Sequence, residues 1–226
     1  MALQSKDCRP LVPRRRTFVW RASRQPDPPT STFCSDTPRC LSSTWAVGRS
    51  VNLPARERLP DGRSLIVRVA QPADADAHIR NFNAIAAESV FVMTESFARK
   101  VEEIQTQFRD ADPQSALWLV AEVEGHVVGS ANFLRGRWKK NAHTAELGVA
   151  LLAEFRGLGI GEALMRAGID WARHVGVRKL KLGVFASNER AVRLYRKLGF
   201  TEEGRLRGDV ILDGRPDDEV LMALWL

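Results

Sequence analysis

The sequence predicts an α/β fold in which a mixed central β-sheet of about seven strands is flanked by about four helices. At 226 residues, the chain is long enough for one good-sized domain and an appendage. Segments with strand patterns and segments with helical spacing alternate over residues 64–226, in the order β-α-α-β-β-β-α-β-α-β-β. No internal repeat is apparent. This mixture of strands and helices indicates one α/β domain over residues 61–226.

The elements in the first half of this domain are predicted from apolar spacing and turn residues. Apolar residues recur at helical spacing from Phe97 to Phe108, and Thr94 is the expected N-cap of that helix. Glu124-Gly125 separates two strand-like runs, as in a β-hairpin. The predicted elements are a strand at 64–71, helices at 72–87 and 94–109, two strands within 116–134 and a strand at 143–151.

The second half of the domain follows the same logic. One apolar stripe at helical spacing ends at Val175, and Gly176 supplies the stop signal. Ser187-Asn188 begins another helix, which Gly199 ends, and Asp213-Gly214 is the turn between the two final strands. The predicted elements are a helix at 160–175, a strand at 179–185, a helix at 188–198 and strands near 203–212 and 218–226.

Residues 1–60 differ in composition from the rest of the chain. The formal net charge is +7, and this excess lies in residues 1–60, where eleven Lys and Arg accompany four Asp and Glu. Residues 61–226 hold equal numbers of both signs, so their charge gives no indication of nucleic-acid binding. Residues 1–60 are also rich in proline and sustain no helical or strand period. We expect a disordered basic extension there, or an upstream stretch translated from a mis-assigned start.

The cysteines and histidines indicate an intracellular protein without a metal site. Cys8, Cys34 and Cys40 are odd in number and irregularly spaced, which argues against a disulfide framework. The four histidines are dispersed and lack the spacing of metal ligands. No apolar run approaches the length of a membrane span. We therefore expect a cytoplasmic location, no metal and no membrane partner.

The stretch FRGLGIGEAL at residues 155–164 predicts an anion-binding site. Its glycines allow backbone N–H groups to approach a ligand closely, and the helix that begins there adds unpaired N–H groups and the positive end of its dipole. A P-loop would need Lys where Glu162 stands, and a dinucleotide site would need the spacing G-x-G-x-x-G. The remaining interpretations are a site for the pyrophosphate of an acyl-coenzyme A and a purely structural strand-to-helix turn.

Two motifs resemble those of the GNAT superfamily of acyl-CoA N-acyltransferases. Arg156, Gly159 and Gly161 match its R/Q-x-x-G-x-G/A signature. Residues 184–200 resemble its next block, N-x-x-A-x-x-x-Y-x-x-x-G-F. The members of that block are Asn188, Ala191, Tyr195, Gly199 and Phe200. The resemblance spans residues 64–226 and implies a GNAT-like fold with acetyl-CoA as cosubstrate, and the two final strands resemble those of small-molecule and amino-acid N-acetyltransferases.

The resemblance also implies where acetyl-CoA binds. In this superfamily the strand before the glycine loop parts from its neighbour, and the pantetheine arm bonds to the main chain of that strand. These contacts would fall on Val149, Ala150 and Leu151, where a backbone N–H can also polarise the thioester carbonyl. Asn188 is expected to bond the cofactor arm and to cap its helix. The pyrophosphate contacts would fall on the backbone N–H groups of Arg156, Gly157, Leu158, Gly159, Ile160 and Gly161.

The catalytic residues follow from the same resemblance. Tyr195, the only tyrosine, stands where the superfamily has the general acid that protonates the departing sulfur, although packing on an apolar helix stripe is an alternative. Glu146 is the first choice for the general base, because a carboxylate among apolar neighbours would have a raised pKa. The alternatives are a solvated or ion-paired Glu146, with Glu95 or a water chain as the base.

These residues predict an enzyme that transfers an acetyl group from acetyl-CoA to a primary amine by direct attack in a ternary complex. The expected acceptor is a small amine or amino acid, which the acids Glu88, Glu95 and Asp217-Asp218-Glu219 or the basic residues of loop 135–140 could attract. Acetylation of a protein N-terminus is an alternative. So are a non-catalytic acyl-CoA-binding regulatory module and a nucleic-acid-associated protein that uses the basic arm. Dimers are frequent in the superfamily, which leaves a homodimer open.

Overall fold

The computed structural model describes residues 53–88, 92–94 and 96–226. The three cysteines and most of the predicted basic extension lie outside these residues. The strands of the described part are β1 Ala55–Arg58, β2 Ser64–Val69, β3 Ala116–Val123, β4 His126–Arg135, β5 Thr144–Leu151, β6 Lys179–Phe185, β7 Thr201–Leu212 and β8 Arg215–Trp225. Its α-helices are α1 Ala75–Ala86, α2 Val101–Arg109, α3 Ile160–His174 and α4 Glu189–Lys197.

The strands form one mixed sheet, as predicted, with one strand more than the sequence indicates. Their order in the sheet is β1-β2-β3-β4-β5-β6-β8-β7. Strands β1 to β5 are antiparallel neighbours, β5 and β6 are parallel, and β6, β8 and β7 are again antiparallel. A parallel pair needs a crossover connection, and α3 supplies it. The predicted α/β class with a mixed central sheet is confirmed.

The additional strand, β1, lies inside the segment predicted to be an extension. Its residues pair with β2 from Ala55 opposite Val67 to Arg58 opposite Ser64. Leu59, which follows the strand, is buried in the core. The sheet therefore begins before the predicted domain boundary at residues 60 and 61. The strand sequence, Ala-Arg-Glu-Arg, has no apolar alternation because this edge strand joins the sheet through its backbone.

Helix α2 begins at Val101, so the predicted helix start with Thr94 as its N-cap is wrong. The reason is the contact that Phe97 makes with α1. The Phe97 N–H donates to the Asn83 side-chain oxygen at 2.7 Å, and the Phe97 ring lies 4.9 Å from that of Phe82. These contacts hold the segment before α2 against α1 in a non-helical conformation. Tertiary packing here overrides the helical spacing of the apolar residues.

Helices α3 and α4 pack on one face of the sheet. Trp171 on α3 is fully buried, and its indole N–H donates to the Pro113 carbonyl at 2.8 Å. A Cβ on Gly168 would overlap the ring of Phe133 in β4, so this glycine lets α3 approach the sheet closely. Alternate residues of β6 face the same core, namely Leu180, Leu182 and Val184. This packing holds the N-terminus of α3 near the middle of the sheet.

Helices α1 and α2 pack on the opposite face of the sheet. Ile104 and Phe108 on α2 are buried against Val120 of β3, whose neighbours along the strand face the other core. A cluster of aromatic rings surrounds the buried His78 of α1, namely Phe82, Phe97, Phe108 and Trp118. Of the helices in the described residues, none is long and apolar enough to cross a membrane.

Candidate active site

The two central strands β5 and β6 are paired only where they begin. The parallel register runs from Thr144 opposite Lys179 to Glu146 opposite Lys181. Beyond that point β5 continues along β4 as far as Leu151, while β6 continues along β8. The sheet therefore splits between β5 and β6, as the resemblance implies. Although β5 lies in the middle of the sheet, its residues 147–151 are all partly exposed along this split.

The end of β5 carries the residues predicted to bond the pantetheine arm. Val149, Ala150 and Leu151 pair with β4 on one side, where Val149 faces Ala131. On the other side the split leaves this stretch of backbone without a pairing partner in β6. An extended ligand can therefore add to β5 as a further strand does, through main-chain hydrogen bonds. The bonding of acetyl-CoA to these three residues remains a prediction.

The three glycines between β5 and the first turn of α3 differ in what favours glycine at each position. Gly157 and Gly159 have φ angles of 86° and 89°, in the left-handed region that favours glycine. Around Gly159, the N-cap of α3, a Cβ would meet nothing within 4 Å, so this side of the loop is open. Gly161 lies close to α4 instead, since a Cβ there would lie 3.3 Å from the Leu194 side chain, a tight contact that a small shift of that side chain would relieve.

The loop presents backbone N–H groups at the start of α3. Among the described residues, no backbone carbonyl accepts from the N–H of Gly157, Leu158 or Gly159. Ile160 and Gly161 follow in the first turn of α3, where N–H groups have no acceptor within the helix. The predicted set differs at Arg156, whose N–H donates to the Ala153 carbonyl at 3.2 Å. The anion site that the geometry supports therefore runs from residue 157 to 161.

Arg156 contributes through its side chain. The guanidinium donates to the Leu151 carbonyl from Nε at 3.0 Å and from Nη2 at 2.8 Å. It also forms a two-point pair with the Glu88 carboxylate, with both distances at 2.6 Å. Arg156 thus joins the end of β5 to the segment after α1, beside the split. The sequence predicts Arg156 as part of a motif, but it carries no signal for the pairing with Glu88.

Tyr195 lies on α4 with only 8% of its surface exposed. Its ring centre is 5.8 Å from that of Phe200, within the core that α3 and α4 share. Burial raises the pKa of Tyr195 to about 12. The phenol is therefore protonated near neutral pH, the form that a general acid needs. Both interpretations of Tyr195, packing and proton donation, are compatible with this position.

Asn188 caps α4, as predicted. Its side-chain oxygen accepts a hydrogen bond from the Ala191 N–H at 3.2 Å. This bond satisfies one of the N–H groups that a helix N-terminus leaves unpaired. The second expected role, a hydrogen bond to the cofactor arm, remains a prediction.

Glu146 does not lie in the surroundings that its expected role as general base requires. Its side chain is 51% exposed, and its carboxylate lies 2.7 Å from the Lys181 ammonium on β6. The predicted apolar neighbourhood is therefore wrong, and the alternative of an ion-paired Glu146 is the one that the structure shows. The pairing depends on the β5–β6 register, which local sequence does not encode.

The other acidic residues considered for the site differ in their positions. Glu95 lies outside the described residues. Asp217 accepts a hydrogen bond from the Ser187 N–H at 3.2 Å, and Asp218 accepts one from the Gly208 N–H at 2.8 Å. Both carboxylates therefore bind backbone groups of neighbouring segments. Glu219 instead extends over Gly183 of β6, two positions beyond the last residue that pairs with β5, and the sequence does not reveal this position. Within the described part of the chain, no group of three His, Asp or Glu residues could hold a metal ion.

Comparison with known proteins agrees with this geometry. The family model described as Acetyltransferase (GNAT) family matches residues 82–200. The L-amino acid N-acetyltransferase AaaT of Escherichia coli K12 is 31% identical to this chain over 121 residues, which cover 52% of this chain and 73% of that protein.

Solved structures show the same fold. A GNAT-family acetyltransferase from Streptococcus pneumoniae has a TM-score of 0.68 and 27% identity, covering 72% of this chain and 99% of that one. The structure of yncA from Salmonella typhimurium, solved with its cofactor acetyl-CoA, has a TM-score of 0.66 and 25% identity, covering 72% of this chain and 94% of that one. The chain therefore belongs to the acetyltransferase (GNAT) family and is an N-acetyltransferase of that family.

Proposed function

We propose that the protein transfers the acetyl group of acetyl-CoA to the primary amine of a small molecule, with amino acids and other small amines as the acceptor class. The observation that carries this proposal is the split between β5 and β6, which ends at the glycine loop. The split offers a strand edge of the kind that an extended pantetheine arm can bond. The loop offers N–H groups and a helix N-terminus for the pyrophosphate at the other end of that arm.

In the proposed complex, the backbone of Val149 to Leu151 bonds the pantetheine arm. The N–H groups from Gly157 to Gly161 bond the pyrophosphate, supported by the dipole of the fifteen-residue helix α3. The bonds from Arg156 to the Leu151 carbonyl keep the end of β5 in place beside the glycine loop. Because these contacts use backbone groups, binding of the cofactor depends more on the position of the glycines and of the helix N-terminus than on any one side chain.

The reaction follows from this arrangement. The amine nitrogen attacks the thioester carbonyl carbon directly, a C–N bond forms, and the C–S bond breaks. The Tyr195 hydroxyl, which is protonated near neutral pH, donates its proton to the leaving sulfur. A backbone N–H near Val149 stabilises the negative charge on the carbonyl oxygen. Holding both reactants in one complex supplies the rest of the rate enhancement.

The acceptor class is supported by the relatives and by the charge of the site. AaaT, by its name, acetylates L-amino acids. In this chain one face of the sheet beside the split carries Glu219 and the Glu146–Lys181 pair, and these groups could attract an ammonium and a carboxylate. A cytoplasmic location is part of the proposal, because an odd number of cysteines suits a reducing compartment. A homodimer remains a prediction.

The experiment that tests this function is the release of free thiol from acetyl-CoA in the presence of single amines. The panel contains amino acids, polyamines and a peptide with a free N-terminus, and mass spectrometry identifies the acetylated product. Amine-dependent release by the full chain is expected, with amino acids or small amines ahead of the peptide. Tyr195→Phe is expected to lower kcat by about 100-fold, the contribution of a general acid, while acetyl-CoA still binds.

The outcomes separate the alternatives. Acetyl-CoA binding without thiol release for any amine would overturn the proposal and favour a non-catalytic binding module. Release with the peptide alone would indicate an acetyltransferase of protein N-termini. A Tyr195→Phe variant as active as the wild type would remove Tyr195 from the reaction and leave the packing interpretation.

A further inference from the structure

Glu219 occupies a special position beside the split in the sheet. It lies on β8 directly opposite Phe185 of β6. Its side chain extends over Gly183, where a Cβ would overlap the Glu219 carboxylate oxygen Oε1. Gly183 is therefore the one position along this stretch of β6 that leaves room for the carboxylate, since every other residue has a Cβ.

The carboxylate lies next to the open part of the split. The last residue of β6 that pairs with β5 is Lys181, and Gly183 comes two positions later on the same face of the strand. Glu146 and Lys181 share this face, since they form an ion pair across the two strands. Leu182 and Val184 face the opposite core, which contains Tyr195. Glu219 therefore lies on one face of the sheet, and the core that contains Tyr195 lies on the other face.

Glu219 has no partner for its charge among the described residues. No N–H group and no cation within the described ranges donates to its carboxylate, whereas the carboxylate of Glu146 pairs with Lys181 at 2.7 Å. Burial raises the pKa of the Glu219 carboxyl, and the negative charge of Asp209 on β7 raises it further. The other charged residues on these strands are Lys179 and Lys181 on β6, Glu202, Glu203, Arg205, Arg207 and Asp209 on β7, and Arg215, Asp217 and Asp218 on β8.

Resting on the proposed function, we infer that Glu219 is the general base that accepts a proton from the acceptor ammonium group at the split. An amine that arrives as an ammonium ion has three protons on nitrogen and no lone pair for attack. One proton passes to a Glu219 carboxylate oxygen, and the freed lone pair forms the C–N bond to the thioester carbon. Glu219 then returns this proton to solvent.

Tyr195 accounts for the other two proton transfers, the one to sulfur and the second one from nitrogen. As the C–S bond breaks, the sulfur takes the Tyr195 proton and leaves as the thiol. The nitrogen gives up a second proton, which restores the Tyr195 hydroxyl through solvent. The sum is one amide, one thiol and one proton released for each ammonium and thioester consumed. In this scheme Glu219 acts on the entering amine, and Tyr195 acts on the leaving sulfur.

The test is the pH dependence of kcat/KM for the full chain between pH 6 and 10, with the best amine from the panel. Glu219→Gln keeps the shape of the side chain but cannot accept the proton. We expect kcat/KM to fall by about 100-fold near pH 7. The deficit is expected to shrink as the pH approaches the pKa of the amine, because the free amine then needs no base. A structural role would lower the rate by a factor that does not change with pH.

Two further variants sharpen the test. Gly183→Ala places a Cβ where the Glu219 carboxylate lies, so it should displace the carboxylate and reproduce the pH-dependent deficit with Glu219 still present. Glu203→Gln on β7 removes an exposed carboxylate that pairs with Lys179 at the surface, and it serves as the matched control with unchanged kinetics.

The outcomes distinguish this inference from the proposed function itself. A wild-type chain that acetylates no amine contradicts the proposed function. An active wild type whose Glu219→Gln variant shows the same pH profile, or a deficit that is constant with pH, overturns the role of Glu219. A pH-dependent deficit in Glu146→Gln and not in Glu219→Gln would also overturn it and assign the base to Glu146.

Discussion

Acidification is expected to destabilise the protein through His78. This side chain on α1 is only 6% exposed, and four aromatic rings surround it. In the described residues, its Nδ1 atom is the one buried side-chain nitrogen or oxygen without a hydrogen-bond partner. The imidazolium that forms on protonation would be a buried charge without an acceptor, which is unfavourable. Protonation of His78 therefore favours the unfolded chain.

The size of this effect follows from the pKa of His78. Burial and, secondarily, the positive charge of Arg99 lower that pKa from 6.5 to about 4, and Asp74 opposes them weakly. Between these two values the unfolded chain binds a proton that the folded protein does not. The stability is therefore complete above pH 6.5 and is lost progressively as the pH falls toward 4. The full loss is about 3 kcal/mol, and at pH 5 it is about 2 kcal/mol.

Urea denaturation at pH 7.5 and pH 5.0 measures this loss directly. His78→Phe places a neutral ring of similar size among the aromatic neighbours, and the carboxylates that titrate in both proteins cancel in the comparison. The free energy of unfolding of the wild type should fall by about 2 kcal/mol more than that of His78→Phe. His126→Gln, at an exposed position in β4, is the control and should behave as the wild type. Equal pH dependence in the wild type and His78→Phe would refute the reasoning.

Two further predictions concern the packing and the bonds that shape the site. Gly168→Ala should lower the free energy of unfolding by about 1–3 kcal/mol in urea, because its Cβ overlaps the Phe133 ring. Gly204→Ala, whose Cβ would only contact Leu221 at 3.9 Å, is its control, and equal stability of the two variants would contradict this account. Arg156→Lys should lower the free energy of unfolding by about 1–2 kcal/mol, because Lys lacks the planar guanidinium that donates both to the Glu88 carboxylate and to the Leu151 carbonyl. An unchanged urea midpoint would show that these bonds do not stabilise the site.

The parts of the site that could be predicted from the sequence are those encoded by consecutive residues. The glycine loop is one, because Gly157 and Gly159 are required by their own φ angles. The cap at Asn188 is another, since its partner is the N–H of Ala191, three residues on. The order of strands and helices after β1 also follows from local periodicity, and the α/β class is confirmed.

The parts that could not be predicted depend on residues distant in the chain. Glu146 pairs with Lys181 only because of the β5–β6 register, so its expected apolar surroundings are wrong. Glu219 lies at the split because β8 pairs with β6 and because Gly183 has no side chain. The late start of α2 likewise comes from the docking of Phe97 on α1. In each case the deciding contact joins two elements, and neither segment alone contains it.

The binding of acetyl-CoA to the glycine loop tests the central claim most directly, and isothermal calorimetry measures it. Gly159→Glu places a negative charge at the open N-terminus of α3, where the pyrophosphate would lie. Gly125→Glu, in the β3–β4 turn, is matched to it, since both glycines have a positive φ and no atom within 4 Å of a Cβ.

We expect Gly125→Glu to bind acetyl-CoA like the wild type and Gly159→Glu to bind at least about 10-fold more weakly, because like charges oppose each other. Equal affinity of the two variants would show that the cofactor does not bind at this loop.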